Sequence, residues 1–295
     1  MSAPMVKVRR VVTDSMEGLT LADYAQCSSR VVTVLGQNPG QFTGPGTNTY
    51  LVGSGSRRLL LDTGSGAAAY PAVLDRALAE LCAGAQVDRV VVTHAHPDHV
   101  GGIGQVRARF GPVAVLKKRW PQADGEFAAA ITPLEDGAVV GAEGATLRAI
   151  YTPGHAPDHL CFYLVEERAL FTGDLVLGAG TAVIPEDSGD LGQYMASLER
   201  LCRLEIETIY PAHGPVVRRP KEKLRDYIAH RQLRERQILE VLANGPLEPI
   251  QIVRHIYQDV TPALHPAAES SVRSHLKKLV GEGRVARTAR GFALA

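Results

Sequence analysis

The stretch Thr93-His94-Ala95-His96-Pro97-Asp98-His99-Val100-Gly101-Gly102 constrains this chain more than any other. It places three imidazoles and one carboxylate within six positions, directly behind the apolar run Val90-Val91-Val92. Neutral His and ionised Asp are good metal ligands and poor core residues. A fold that accepts this stretch must end a buried strand at an ion site. Side chains on an extended segment alternate faces, so His94 and His96 point the same way and can grip one ion. Pro97 then bends the path, and Asp98 and His99 face a neighbouring position. Four ligands divided in this way call for two adjacent ions. Gly101 and Gly102 let the backbone come close and open the next helix.

Two ions need further ligands, and the chain offers them at the ends of three later strands. His155 stands in TPGHAPDH, Asp174 in FTGD and His213 in YPAHGP. Each follows an apolar run and has Gly or Pro nearby. Loops at strand ends converge on one rim of a sheet, where rigid scaffolds display their chemistry. Asp174 is a carboxylate, the ligand type able to bridge two cations.

The surrounding pattern supplies the strands. Short β-rich runs cover residues 31–35, 49–52, 59–62 and 89–93, with an amphipathic helix at 70–82. A second set covers 113–116, 146–151, 160–165 and 169–172, then a helix at 191–204 and a strand at 207–211. Strands and helices mix without strict alternation, which predicts two sheets packed face to face with helices outside. Past His213 the character changes. Helices at 221–243, 249–257 and 268–282, followed by runs at 284–287 and 291–294, describe a winged helix-turn-helix. The boundary falls near residues 217–225, giving domains of 1–220 and 221–295.

With these residues on the page, the chain resembles the metallo-β-lactamase fold superfamily. HAHPDH matches its HxHxDH signature, and His155, Asp174 and His213 fall where its later motifs should. The resemblance implies a four-layered αββα sandwich carrying a C-terminal winged-helix domain. It also implies a ligand set: His94, His96 and His155 on one zinc, Asp98, His99 and His213 on the other, and Asp174 between them. LLLDTG at 59–64 looks like the first motif, with Asp62 as a brace behind the ligands; a plain turn residue at Asp-Thr-Gly is equally compatible with the sequence. Thr47, Asn48 and Thr49 would line the pocket on the same ground.

The segments at 38–64, 141–155 and 209–217, with the winged helix, are similar to the beta-lactamase-like protein 2 group. That likeness implies a dinuclear zinc-dependent endoribonuclease cutting single-stranded RNA phosphodiesters through a metal-bridging hydroxide. The group is also similar to fungal polyketide thioesterases, so a thioesterase or other acyl or lactam hydrolase with a small acyl substrate is the alternative. Asp98 and His159 are the candidate catalytic residues. Asp98 would orient water or shuttle a proton. His159 would donate to a developing oxyanion or leaving oxygen, unless it is a loop histidine bonded to backbone. Zinc is the expected ion, although His/Asp sites also accept Mn2+ or Fe2+.

Charge is informative only locally. The chain carries a net +1, but from Arg218 onward 15 Lys/Arg face 8 Asp/Glu, a net +7, while the earlier residues carry 17 against 23, a net −6. Arg218, Arg219, Lys221, Lys223, Arg225, Arg231, Arg234 and Arg236 crowd one stretch. Arg273, Lys277 and Lys278 sit on the third helix, and Arg284, Arg287 and Arg290 mark the wing. Such clusters suit phosphate backbones, and Tyr227 and Tyr257 are the nearest stacking candidates. Against that, Glu222, Asp226, Glu235 and Glu240 are interleaved as ordinary helical pairs. A domain that caps the active-site rim or makes a homodimer contact is the bland alternative. Four scattered cysteines without a CxxC pair, no run of 18 apolar residues and no secretory or organelle leader predict a cytoplasmic protein without a membrane span. No GxSxG, GxGxxG or GxxxxGK occurs, and the SxxK at 274–277 lies in the basic last helix, where chance explains it.

Overall fold

The alternation of apolar residues in three neighbouring strands builds three layers at once. Tyr50 and Val52, Leu59 and Leu61, and Val91 enter one buried cluster, while Leu51, Leu60, Val90 and Val92 enter another. A strand turns successive side chains to opposite faces, so a sheet apolar on both faces must be covered on both. Each fully buried Val or Leu contributes about 1.5–3 kcal/mol by leaving water.

The computed structural model describes residues 16–125, 129–258 and 265–295. Its first sheet runs in chain order: β1 (Tyr24–Gln26), β2 (Val31–Leu35), β3 (Asn48–Val52), β4 (Arg57–Leu61), β5 (Gln86–Val91), β6 (Ala114–Lys117) and β7 (Ile131–Pro133). Pairing is antiparallel from β1 to β4 and parallel from β4 to β7. The second sheet is formed by β8 (Val139–Ala142), β9 (Ala145–Tyr151), β10 (Leu160–Leu164), β11 (Ala169–Gly173) and β12 (Thr208–Pro211), in the order β12-β11-β10-β9-β8. Between the sheets lie Tyr50, Leu61, Leu147, Phe162, Phe171 and Tyr210. Helices α1 (Tyr70–Leu81), α2 (Pro97–Val100) and α3 (Ile103–Phe110) follow the strands of the first sheet, and α1 and α3 cover its outer face. A short helix, α4 (Pro121–Asp124), follows β6. Helices α5 (Leu191–Cys202) and the first half of α6 (Pro220–Leu242) cover the second sheet. This is the expected αββα sandwich. The strands β1, β7 and β8 escape a pattern reading because each is short and buries at most one residue.

The glycines after the opening motif are dictated by contact. A Cβ on Gly102 would lie 2.1 Å from the carbonyl oxygen of Thr63, and one on Gly101 would lie 2.5 Å from that of Ser65. The turn after β4 therefore presses on the start of α3. Gly102→Ala is expected to cost about 1–3 kcal/mol through this overpacking, read as a lower urea midpoint; a variant as stable as the parent would contradict the contact.

The C-terminal region comprises the rest of α6, α7 (Pro249–Ile256), α8 (His265–Gly281) and the hairpin β13 (Val285–Thr288) and β14 (Gly291–Leu294). Its core gathers Ile238, Leu242, Ile252, Val253, Val272, Leu276, Leu279 and Val285. Helix α6 is shared: Leu224 and Tyr227 belong to the sandwich, Ile238 and Leu242 to the C-terminal core. The change of core thus falls inside α6, not ahead of it. Many of the basic residues turn inward. Arg231 is 6% exposed, Arg234 lies 3.9 Å from the Tyr257 ring centroid, and the half-buried Lys278 pairs with Glu235, as does the exposed Arg284. Tyr227 is buried, so it is no stacking platform. Among the described residues no helix is long and apolar enough to cross a membrane, and all four cysteines are free thiols.

Candidate metal centre

Seven side chains meet at one end of the sandwich because four strands end there. His94 and His96 leave β5, and Asp98 and His99 open α2. His155, Asp174 and His213 follow β9, β11 and β12. The two sheets are tied at this end: Asn48 Nδ2 donates to the carbonyls of Pro211 (3.0 Å) and Gly214 (2.8 Å), and Tyr50 Oη donates to that of Pro211 (2.6 Å).

The donor atoms form two groups. In one, His94, His96, His155 and Asp174 each offer an atom within 4.8 Å of the others; in the second, Asp98, His99 and His213 do the same. His96 Nδ1 lies 2.9 Å from both His94 Nε2 and His155 Nε2. Asp174 reaches both groups. Its Oδ2 is 3.5 Å from His155 Nε2, and its Oδ1 is 3.1 Å from His213 Nε2 and 3.5 Å from His99 Nε2. All seven sequence-predicted ligands are thus brought together.

The surroundings fix which nitrogen of each ring faces inward. His155 Nδ1 lies 2.7 Å from the Val183 carbonyl, which can only accept, so Nδ1 carries the proton and Nε2 a lone pair. Asp62 Oδ2 lies 2.8 Å from His99 Nδ1 and 2.8 Å from the Thr93 hydroxyl, while Asp62 Oδ1 accepts from the Thr93 amide (2.8 Å). The Thr93 oxygen in turn lies 3.0 Å from His94 Nδ1. His94, His99 and His155 therefore all aim Nε2 into the centre. The ring nitrogens of His94 and His155 each lie 2.9 Å from that of His96, a spacing that suits a shared cation, since zinc–nitrogen bonds of about 2.0–2.1 Å set tetrahedral ligands about 3.3 Å apart. His99 Nε2 and Asp174 Oδ1, both buried, have no hydrogen-bond partner. The donor set fits two divalent cations.

Electrostatics divides the two groups. Burial pushes His94 well below the usual imidazole range and His96 down to about 4, with neighbouring imidazoles adding to the effect; burial also lowers His155. These rings are neutral, as metal ligation requires. In the second group burial opposes charge on His99 and His213, but carboxylates outweigh it. Asp98, Asp174 and Asp62 hold His99 well above its ordinary value, and Asp174, with Asp98, raises His213 to about 9. Burial opposes ionisation of Asp98 and Asp174 as well, yet the facing imidazoles hold both well below the carboxylate range.

Not every expected residue reaches the centre. His159 is fully buried; its Nδ1 meets the Thr152 hydroxyl (2.9 Å) and its Nε2 accepts the Asp174 amide (3.2 Å). It braces Asp174 from behind and presents no donor to a substrate. Of the 47–49 triplet, Thr47 Oγ1 touches Asp98 Oδ2 (3.2 Å), Asn48 ties the sheets, and Thr49 bonds Tyr70 and the Val34 carbonyl on the far side. Sequence reasoning missed Thr93, whose position beside His94 was the available signal. It also missed Lys117, which is buried with Asp124 (2.6 Å) and Asp158 (3.1 Å) and pins the loop between His155 and His159.

Zinc at a hundredfold excess over its dissociation constant should stabilise the fold by about 2.7 kcal/mol per site. Thermal unfolding with zinc and with chelator reads this directly; coincident transitions would mean that nothing binds.

Comparison with known proteins agrees with this geometry. A family model described as "Metallo-beta-lactamase superfamily" matches residues 42–213, and one described as "Beta-lactamase associated winged helix domain" matches 249–292. A Caenorhabditis elegans protein named "Beta-lactamase-like protein 2 homolog" is 39% identical over 265 residues, 88% of this chain and 86% of its own. A Claviceps purpurea protein named "Atrochrysone carboxyl ACP thioesterase" is 37% identical over 279 residues, 90% and 85% of the two chains. A crystal structure of a beta-lactamase domain protein from Burkholderia ambifaria superposes with a TM-score of 0.80 at 19% identity, covering 92% of this chain and 93% of that one, and shares the fold. The chain belongs to the metallo-beta-lactamase superfamily and carries that superfamily's associated winged-helix domain.

Proposed function

We propose that this protein is a dinuclear metal-dependent hydrolase and that it cuts single-stranded RNA. The observation that carries the hydrolase reading is the pair of ligand groups joined by Asp174. His94, His96 and His155 would hold one ion, and Asp98, His99 and His213 the other, with zinc as the ion that best suits this donor set. Bound divalent cations supply a lowered water pKa and polarise the substrate oxygen.

The chain's own groups do the rest. Asp98 is the most exposed carboxylate of the cage, with a quarter of its side chain open to solvent, and it accepts from Thr47. It is placed to orient the attacking water at the opening and to take its proton. Asp62 and Thr93 hold His94 and His99 in the ligating tautomer. The RNA reading follows from the sequence's resemblance to the beta-lactamase-like protein 2 group, and a relative carrying that name is matched over most of both chains. Lys221, Arg225 and Arg236 on the open face of α6 suit a phosphate backbone.

A second reading, thioester hydrolysis, is favoured by two exposed apolar residues flanking the cage. Phe42, 68% exposed, lies in the loop that leads to Thr47, and Val183, 48% exposed, is itself the residue whose carbonyl meets His155. Relatives named thioesterases support it. One panel separates the two: zinc- or manganese-loaded protein against labelled single-stranded RNA and an acyl thioester. Endonucleolytic cutting supports the first reading. Intact RNA beside thioester turnover replaces it with the second, and inertness toward both removes both.

A further inference from the structure

Residues 178–189 run beside the cage without regular secondary structure, so their carbonyls have no sheet partner. The C-terminal helices provide the donors instead. From α6, Lys223 Nζ donates to the Gly178 carbonyl (3.2 Å), Tyr227 Oη to that of Gly180 (2.9 Å), and Arg231 Nη2 to that of Ala182. From α8, Ser274 Oγ donates to the Ile184 carbonyl (2.9 Å) and Lys277 Nζ to those of Glu186 and Gly189 (both 3.2 Å). The match is geometric. Residues four apart on a helix rise about 6 Å, and the strip, bent at 178–180 with Gly180 at φ +68°, turns every second carbonyl toward α6. A row at 223, 227 and 231 therefore meets a row of alternate carbonyls.

The intervening groups face the other way, toward the cage. The Val183 carbonyl accepts a hydrogen bond from His155 Nδ1 at 2.7 Å, and the Gly178 amide donates to the His213 carbonyl at 2.7 Å. Asp190, where the segment enters α5, donates its amide to the Gly154 carbonyl (2.8 Å), next to His155. One strip of backbone thus links the winged-helix region to a candidate ligand of each ion.

We propose that α6 and α8 are a positioning device for the metal centre: Arg231, Ser274 and Lys277 clamp residues 182–189, and that strip orients His155 through the Val183 carbonyl. These are positioning residues, since none touches substrate or ligand atoms. The inference rests on the reading of the seven side chains as a metal cage. It gives the winged helix a role that needs no nucleic acid: the face of α8 bearing Ser274 and Lys277 lies against the catalytic domain.

The test uses full-length protein. The double variant Ser274→Ala/Lys277→Ala, Arg231→Met, the conservative Arg231→Lys and an exposed control on α7, Arg254→Ala, are titrated with zinc against a chromogenic chelator. Each is also loaded with cobalt for its visible spectrum. Orienting groups behind metal ligands are worth about 10–100-fold in affinity. We expect the double variant and Arg231→Met to weaken one of the two ions about tenfold and to shift the cobalt bands. Arg231→Lys should recover part of the loss, and Arg254→Ala should match wild type. Hydrogen exchange at residues 178–190 should speed up in the same two variants. Wild-type affinity and spectrum in a folded double variant overturn the inference, whether or not Arg231→Met folds. Wild-type protein that takes up no metal fails differently: it removes the cage itself.

Discussion

Asp98→Ala should remain folded and lose hydrolysis by roughly 10²–10⁴-fold, the range expected when a positioned proton-handling group is removed. Asp98 sits in the first turn of the four-residue α2, with its side chain directed at Thr47, His99 and His213. Its backbone pairing does not depend on the carboxylate, so the turn survives. Two consequences should appear together. The second ligand group drops to two imidazoles with Asp174 nearby, so metal content should fall from two ions toward one. The opening of the cage loses its exposed carboxylate, so the residual rate should no longer depend on a proton acceptor there. Turnover and metal content are measured on one preparation, with circular dichroism as the folding check. Undiminished turnover would remove Asp98 from the reaction.

Asp62→Ala should be the most damaging single change to the fold, by about 3–5 kcal/mol, as expected when one member of a buried charged network is deleted. Asp62 is completely buried, yet it accepts from the Thr93 amide, the Thr93 hydroxyl and the His99 ring. Alanine leaves the Thr93 amide without its acceptor and leaves the His99 ring only the Thr93 oxygen at 3.3 Å. It also sits badly on the backbone, since Asp62 has φ +58°, a region that Asn and Asp enter far more readily than other non-glycine residues. Asp62→Asn separates the two effects. It keeps the tolerated backbone and one acceptor oxygen, so it should lose much less stability. Its NH2 must replace one of the two acceptor oxygens, so it faces either the Thr93 amide or the Thr93 hydroxyl and the His99 ring, and zinc affinity should fall roughly 10–100-fold. Urea unfolding and zinc titration read the two losses independently. An alanine variant as stable as wild type would show that the network carries no weight.

How much of this was legible depended on whether a feature announces itself by residue type. The seven ligands did, because histidines and aspartates standing just past apolar runs are conspicuous. The sandwich did too, because Leu59, Leu60 and Leu61 could only be buried if both faces of their sheet were covered. The Val183 carbonyl could not be read, since a backbone acceptor looks the same at every position. Arg231 looked like one charge among many on a solvated helix. Only the packing of α6 against residues 178–182 shows that it points inward. His159 carried the right chemistry for a donor, but its orientation depended on Thr152 and the Asp174 amide, which the chain order does not bring to mind. Motifs give composition at a point; tautomer and direction come from neighbours distant in sequence.

Helix α6 runs unbroken for 23 residues and lends its two halves to different cores. Nothing along it can act as a hinge without breaking helical turns. The two parts of the molecule should therefore melt in concert, and a protease should find no soft linker there at which to free an intact C-terminal fragment. The winged region is thus not a detachable accessory. Transplanting it, or trimming it to make a smaller catalyst, would strip one outer wall from the sandwich that remains.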